Sequence, residues 1–308
     1  MSVSAAMSGR KSNSPSAASP PAPAAPDGVL YLVATPIGNL EDITLRALRV
    51  LGEVRWIACE DTRRTAKLLE RHAITAPLVS YHEHNERQRT PELLAALSRG
   101  ESVALVTDAG TPLISDPGFR LVTAAIARGY RIVPLPGPSA VIAALAGSGL
   151  PCGEFLFAGF LPARSAERRR ALERLRAEPR TIVLFEAPHR LAASLADAAE
   201  ILGPRPAVLA RELTKLYEEF RRGTLAELAA SVRGAQTRGE ITLVIGPPPP
   251  GASAPEAASQ GCTEIPLSVR VAQLIAAEGS SRNAALKQAA RERGITRREA
   301  YRRLLEKR

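Results

Sequence analysis

The sequence predicts an α/β protein with two sheet-containing domains, the first sheet mostly parallel and the second mixed, followed by a small helical module. Three observations predict it. From Val29 to about Gly149, short apolar runs alternate with amphipathic stretches, the pattern of parallel strands covered on both faces by helices. Beyond residue 150, strand candidates crowd together around 207–221 with no room for a helix between them, so they must pair antiparallel. A Pro/Ala/Gly/Ser stretch then sets off a basic, helix-patterned end, as a linker does.

Taken in order, residues 1–27 are Ala, Ser and Pro with almost no large apolar side chain. Such a segment buries too little surface to offset its ordering entropy and is expected to be disordered. It has no continuous apolar core of a secretory signal. The first domain, 28–150, should place strands at Val29–Ala34, Val54–Cys59, Val103–Val106 and Arg131–Pro134, with a further one before Tyr81. Helices are expected at Ile43–Leu51, Thr62–Arg71, Pro91–Arg99 and Leu121–Arg128. The second, 151–247, should place strands at Phe155–Ala158, Thr181–Phe185, Ala207–Ala210, Leu216–Arg221 and Glu240–Ile245, and helices at Ser165–Ala177 and Leu191–Leu202. Residues 248–262 form the linker. The module 263–308 carries helical patterns at Ser268–Ala277, Arg282–Arg293 and Arg297–Lys307, with Thr296 as N-cap and Glu299 completing a capping box. Its packing face is expected from Leu274, Ile275, Leu286, Ile295, Tyr301, Leu304 and Leu305.

Charge narrows the partners. The 308-residue chain carries a net +10, and Arg270–Arg308 holds eleven lysines and arginines against four glutamates. A positive surplus concentrated in one segment favours an anionic partner, nucleic acid first. Arg291, Arg293, Arg297, Arg298, Arg302 and Arg303 are the expected RNA contacts, since the guanidinium fork matches phosphate; a solvated packing module is the structural alternative. No run approaches the roughly 18 apolar residues of a membrane span. Cys59, Cys152 and Cys262 are scattered and odd in number, which fits a reducing cytoplasm better than a disulfide framework.

Three loops carry the functional expectation. The first strand runs into Ala34-Thr35-Pro36-Ile37-Gly38-Asn39, the fourth into Thr107-Asp108-Ala109-Gly110-Thr111-Pro112 followed by Ser115-Asp116-Pro117-Gly118, and the fifth into Pro136-Gly137-Pro138-Ser139-Ala140. Each alone reads as an ordinary turn, with Asp116 a possible N-cap and Pro138 suited to the first position of the next helix. All three at the C-terminal ends of strands in one sheet predict a ligand cleft. Their small residues leave backbone N–H and C=O groups open to a ligand, and Asp108 can accept from a ligand amine or hydroxyl. None is a dinucleotide fingerprint or a phosphate loop, and there is no nucleophile elbow. His82 and His84 flank Glu83, but no third ligand stands at a recognisable spacing, so no metal is expected. Charged residues close strands at Glu60–Arg64, Glu186–Arg190 and Arg211–Lys215.

The string Leu30-Tyr31-Leu32-Val33-Ala34-Thr35-Pro36-Ile37-Gly38-Asn39-Leu40-Glu41-Asp42-Ile43-Thr44 resembles the opening of the bacterial ribosomal RNA small subunit methyltransferase I family. Glu60–Arg63, Asp108–Pro112 with Asp116-Pro117-Gly118, Pro134–Ser139, Phe160-Leu161-Pro162, Glu186–Arg190 and Arg211–Lys215 extend the resemblance, in order, over roughly residues 28–247. The resemblance implies a two-domain tetrapyrrole-methylase fold with an S-adenosylmethionine cleft between the domains. It implies 2'-O-methylation of a cytidine ribose in the decoding region of 16S rRNA, with that RNA within the small ribosomal subunit as partner, and a homodimer. Carried over, Pro36, Ile37 and Gly38 line the cleft from the first loop. Asp108, Ala109, Gly110, Thr111 and Ile114 contribute from the second, Ser139 and Ala140 from the next helix, and Glu186 and Leu213 from the second domain. The tetrapyrrole branch commonly has Gly-Gly-Asp-Pro where this chain has Ala109-Gly110-Thr111-Pro112, a departure that favours the RNA branch.

Methyl transfer to a hydroxyl needs alignment and a proton acceptor. Glu212, Lys215, Glu60 and Glu186 are the candidates, lysine only if desolvation lowers its pKa. Two other readings stay open at this stage: a methylase of a small tetrapyrrole, and a non-catalytic RNA-binding protein.

Overall fold

The structure, a computed structural model, describes residues 28–249, 267–278, 281–292 and 299–302. The expected disordered tail, most of the linker and Thr296 lie outside the described residues. Residues 28–249 belong to one compact unit, and the C-terminal helices to a second.

Five parallel strands form the first sheet: β1 (Leu30–Val33), β2 (Trp56–Cys59), β3 (Leu78–Ser80), β4 (Val103–Val106) and β5 (Ile132–Leu135), in the order β3-β2-β4-β1-β5. Helices α1 (Leu45–Glu53), α2 (Thr62–Arg71), α3 (Glu86–Ser98) and α4 (Phe119–Ile126) cover it. The central strand shows why its sequence is uniformly apolar. Val103 and Leu105 pack into one core with Leu93, Leu97 and Leu121, while Ala104 and Val106 pack into another with Val50, Leu51 and Leu69. Both faces are buried, so no polar alternation survives. Pro134 sits on β5, an edge strand, where a missing N–H is tolerated. Helix α1 is capped by Thr44, whose hydroxyl accepts from the Ala47 amide, and α2 by Asp61 in the same manner at Arg63. Helix α3 starts five residues before Pro91 and takes the proline into its second turn, because the Glu86 and Arg89 amides already close a turn on His82 and Asn85.

The second sheet is mixed, in the order β6-β7-β10-β8-β9. Its strands are β6 (Phe155–Phe160), β7 (Thr181–Glu186), β8 (Pro206–Arg211), β9 (Glu219–Thr224) and β10 (Ile241–Ile245). Only β6 and β7 are parallel; every other neighbour is antiparallel, including the expected β8–β9 pair. Helices α6 (Ser165–Leu175), α7 (Leu191–Leu202) and α8 (Leu225–Val232) pack on one face. Helix α5 (Ala140–Ser148), although it follows β5, packs against the other face. Its Val141, Ala144 and Leu145 share a core with Ile37 from the first loop and with Val183, Val208 and Val244 of the second sheet. This shared core ties the first-sheet loops to the second sheet.

Two elements differ from the sequence reading. The strand expected at Leu216–Arg221 begins only at Glu219, because 212–218 folds into a tight turn with Glu212 and Thr214 at positive φ and leaves Leu216 and Tyr217 exposed. Helix α8 was not expected, although Thr224 and Glu227 form a reciprocal capping box at its start.

In the second unit, α9 (Leu267–Glu278) and α10 (Arg282–Glu292) follow the expected helical patterns. Their packing core is built from Val271, Leu274, Ala285, Leu286, Ala289, Ala290 and Ala300. Ile275 and Tyr301, expected in that face, are exposed; alanines let the helix backbones approach closely and leave larger side chains outside. Ile295, Leu304 and Leu305 lie outside the described residues.

Candidate functional site

The C-terminal ends of β1, β4 and β5 and one end of the second sheet enclose a cavity of about 390 Å³, within the usual range of small-molecule sites. The first sheet and α5 contribute Ile37, Asp108, Ala109, Gly110, Thr111, Ile114, Ser139 and Ala140, and the second contributes Glu186 and Leu213. All ten were expected from the sequence. Arg64, Ser115, Asp116, Phe160, Phe185, Pro188 and Gly239–Thr242 also line it and were not named as site residues. Pro36, Gly38, Glu60, Glu212 and Lys215 are not part of the lining.

The loop after β4 is held under strain. Gly110 adopts φ +85 and pairs with Thr35 through two backbone hydrogen bonds of 2.9 Å, one in each direction. These bonds tie the first and second glycine loops together beneath the cavity. They also consume the Gly110 N–H and C=O, which the sequence reading had left open to a ligand. Leu113 at φ +73 and Ser115 at φ +67 add left-handed residues that only a well-determined surrounding retains. Helix α4 begins at Phe119 with Gly118 as its cap, so Asp116 is not an N-cap; it lines the cavity instead. Likewise Ser139, not Pro138, sets the start of α5: its hydroxyl accepts from the Ile142 amide, and Ala140 is the first helical residue. Thr111 donates its hydroxyl to the Pro138 carbonyl at 3.2 Å, joining the second loop to the third.

Gly38 serves the neighbouring loop. A Cβ there would lie 2.4 Å from Lys215 Cγ and 2.9 Å from the Leu213 carbonyl, and the Asn39 amide donates to the Thr214 hydroxyl. The first loop thus buttresses the 212–218 turn, which presents Leu213 to the cavity.

The candidate bases fall into distinct environments. Glu186 is buried, accepts from the Ala187 amide at 2.7 Å and from Ser194, and is paired with Arg190 at 2.8 Å. Its lone pairs are occupied, which suits an anchoring role. Lys215 donates to Glu212 at 2.8 Å and to Glu240 at 3.1 Å. Partial burial works to lower its pKa, but these hydrogen bonds prevail and hold the ammonium above its ordinary range. That is the opposite of the desolvated, neutral amine a lysine base requires. Glu212 is held low, chiefly by Lys215 and then by the Glu240 amide. Glu60, at the end of β2, is pushed up by burial and by the negative charge of Asp108.

Electrostatically the cavity is acidic. Asp108, Asp116, Glu186 and Glu240 line it against one lining cation, Arg64, which pairs with Asp108 at 3.2 Å. The rest of the wall is mostly apolar or aromatic, with hydroxyls at Thr111, Ser115, Ser139 and Thr242. Phe185 makes a tilted contact with Phe160 (5.5 Å between centroids) and an edge contact with Phe157 (5.0 Å). An apolar pocket with several carboxylates fits a small organic cation better than a phosphate or a metal. The His82 and His84 rings meet in a T-shaped contact, 5.9 Å between centroids, outside this lining.

The expected RNA contacts are only partly described. Arg302 pairs with Glu299, Arg291 lies in the last turn of α10, and Arg293, Arg297, Arg298 and Arg303 lie outside the described residues.

Comparison with known proteins agrees with this architecture. The Tetrapyrrole (Corrin/Porphyrin) Methylases family matches residues 29–229. A ribosomal RNA small subunit methyltransferase I from Mesorhizobium japonicum is 50% identical over 288 residues, 92% of this chain and 94% of the relative. The crystal structure of a uroporphyrin-III-C-methyltransferase from Thermus thermophilus superposes with a TM-score of 0.51 at 25% identity, over 71% of this chain and 94% of that one. A uroporphyrin-III C-methyltransferase from the same organism, complexed with S-adenyl homocysteine, gives 0.51 at 20% identity over 71% and 97%. With the fold, the strand-end cleft and this similarity over nearly the whole chain in agreement, the chain belongs to the tetrapyrrole methylase family and, within it, to the ribosomal RNA small subunit methyltransferase I group.

Proposed function

We propose that the protein is an S-adenosylmethionine-dependent methyltransferase of small-subunit ribosomal RNA, and that it methylates the 2'-hydroxyl of a cytidine in the decoding region of 16S rRNA. The observation that carries the reading is the 50% identity, over nearly the full length of both chains, to a relative named for that RNA. It outweighs the 25% identity to a methylase named for a small tetrapyrrole. The non-catalytic alternative is disfavoured by the built cleft, which a pure binder does not need. We place the working enzyme in the cytoplasm, as a homodimer acting on RNA within the small ribosomal subunit.

The chain's own residues fit the cofactor. The negative field of Asp108, Glu186 and Glu240 in the lining favours a sulfonium and an amino group. Ile37, Ile114, Leu213 and the Phe160–Phe185 wall cover apolar surface, and Ala109, Gly110 and Thr111 with Ser139 and Ala140 frame the floor. Gly38 packs against the 212–218 turn that presents Leu213. S-adenosylmethionine supplies an electrophilic methyl group when bound. The protein's task is to align that group with a ribose hydroxyl and to exclude water, largely an orientation effect. Glu186, locked by Arg190 and Ser194, fixes one wall of the cleft, and the Glu212–Lys215–Glu240 cluster holds the 212–218 turn.

Mapping ribose methylation in rRNA from cells with and without the gene tests the reading. A single cytidine 2'-O-methyl group lost on deletion and restored by the gene is the expected result. An unchanged rRNA methylation map would overturn it.

A further inference from the structure

We infer that Asp116 is the proton acceptor for the hydroxyl that is methylated, an assignment that rests on the methyltransferase reading above. Four carboxylates line the cavity. Asp108 is held by Arg64 and accepts from the Asp61 amide at 3.1 Å. Glu186 is saturated by Arg190, Ser194 and its neighbouring amide. Glu240 is paired with Lys215. Asp116 alone of the four has no cationic partner among the described residues. A base that is already the acceptor in an ion pair has to surrender that pair to take a proton; Asp116 does not.

Its placement suits the task. Asp116 follows the left-handed Ser115 and precedes Pro117, which restricts the backbone of the residue before it. Asp116 is therefore held by a stiff frame in the wall shared with Ile114 and Thr111. Burial pushes its pKa up to about 6, the Thr107 hydroxyl works against this, and the negative charges of Glu60 and Asp108 add to it. Arg64 reaches the same corner but is engaged by Asp108, while Glu186 and Glu240 line the cavity from the second sheet. No compensating cation lowers the value. A carboxylate of this strength is ionised at neutral pH yet more basic than an ordinary aspartate, the compromise that general-base catalysis favours.

The step balances. Asp116 takes the hydroxyl proton, the freed oxygen pair closes on the methyl carbon, and the carbon–sulfur pair stays on sulfur. A carboxylate and a sulfonium disappear together; a neutral acid and a thioether result, so no net charge is created in the closed cleft.

Asp116→Asn in the full chain tests the assignment, with small ribosomal subunits lacking the modification as substrate. S-adenosylmethionine affinity by calorimetry should stay within about threefold. Single-turnover methylation should fall ~10²–10⁴-fold, the usual contribution of a general base. The wild-type rate should rise with pH through an inflection near 6, and the variant should lack it. A second readout does not depend on activity. Because the wild-type carboxylate carries a raised pKa, its ionisation opposes folding as pH climbs from the unfolded value through about 6. Asp116→Asn should therefore match or exceed the wild-type melting temperature at pH 8, with any gain fading toward pH 5. A variant with wild-type turnover overturns the assignment while leaving the methyltransferase reading intact. So does a variant that has lost cofactor binding, or one less stable at pH 8. Wild-type protein that transfers no methyl group to the subunit overturns both.

Discussion

Gly110 concentrates several demands in one residue. Its φ of +85 lies where L side chains are strained, and its amide and carbonyl are both committed to Thr35. A Cβ there would meet only Ile37 Cγ2 at 3.4 Å, so space is not the obstacle; backbone conformation is. Gly110→Val is expected to cost about 1–3 kcal/mol of stability and to reduce S-adenosylmethionine affinity at least tenfold while the protein stays folded. Calorimetric titration with denaturant melts checks both, and unchanged affinity in a folded variant would remove the loop from the cofactor site. At this scale the sequence located the loops of Gly110 and Ser139 at strand ends, but not that the Gly110 backbone is spent on Thr35 or that Ser139 rather than Pro138 starts α5. It was least informative for ionisable side chains. Glu212, Lys215 and Glu186 look alike in sequence as charges closing strands. Only the fold shows that each meets an opposite charge, whereas Asp116, hidden in a turn motif, meets none.

Helices α6 and α7 are joined by a charge network whose inner member is Arg168, nearly buried and bonded to Asp197 at 2.7 Å. Arg169 extends it outward to Asp197 and Glu200. Replacing Asp197 by Ala leaves a buried guanidinium without its carboxylate, and breaking such a pair costs about 3 kcal/mol or more. Arg169→Ala, on the exposed side, should cost well under 1 kcal/mol. Urea denaturation of the two variants measures the contrast, and equal losses would show that the buried pair has no special weight. The elements themselves were mostly legible, because β4 and α2 carry unambiguous patterns: four consecutive apolar residues, and an aspartate before an amphipathic stretch. What failed did so for physical reasons. The strand expected at Leu216–Arg221 was cut short by a turn held by Glu212 and Thr214. Helix α8 went unexpected although Thr224 and Glu227 form its capping box between well-separated strand candidates.

For the whole molecule, the shared core around α5 has a thermodynamic implication. Because Val141, Ala144 and Leu145 pack with residues of both the first loop and the second sheet, residues 28–249 should unfold in one cooperative step. The second compact unit has its own core. A chain ending at residue 250 is therefore expected to keep full S-adenosylmethionine affinity. It should lose affinity for ribosomal RNA, and the salt dependence of binding should flatten as the phosphate contacts expected of the C-terminal arginines disappear. Calorimetry and filter binding across a salt series check this; the same RNA affinity and slope would assign the module a packing role. The composition of that segment foretold its charge, but not that alanines would form its core.

The two bonds between Thr35 and Gly110 have a bearing on ligand selectivity. Because they fix the floor of the cleft before anything enters, binding has little main-chain freedom left to remove there. A floor of set shape rejects molecules of the wrong outline at first contact.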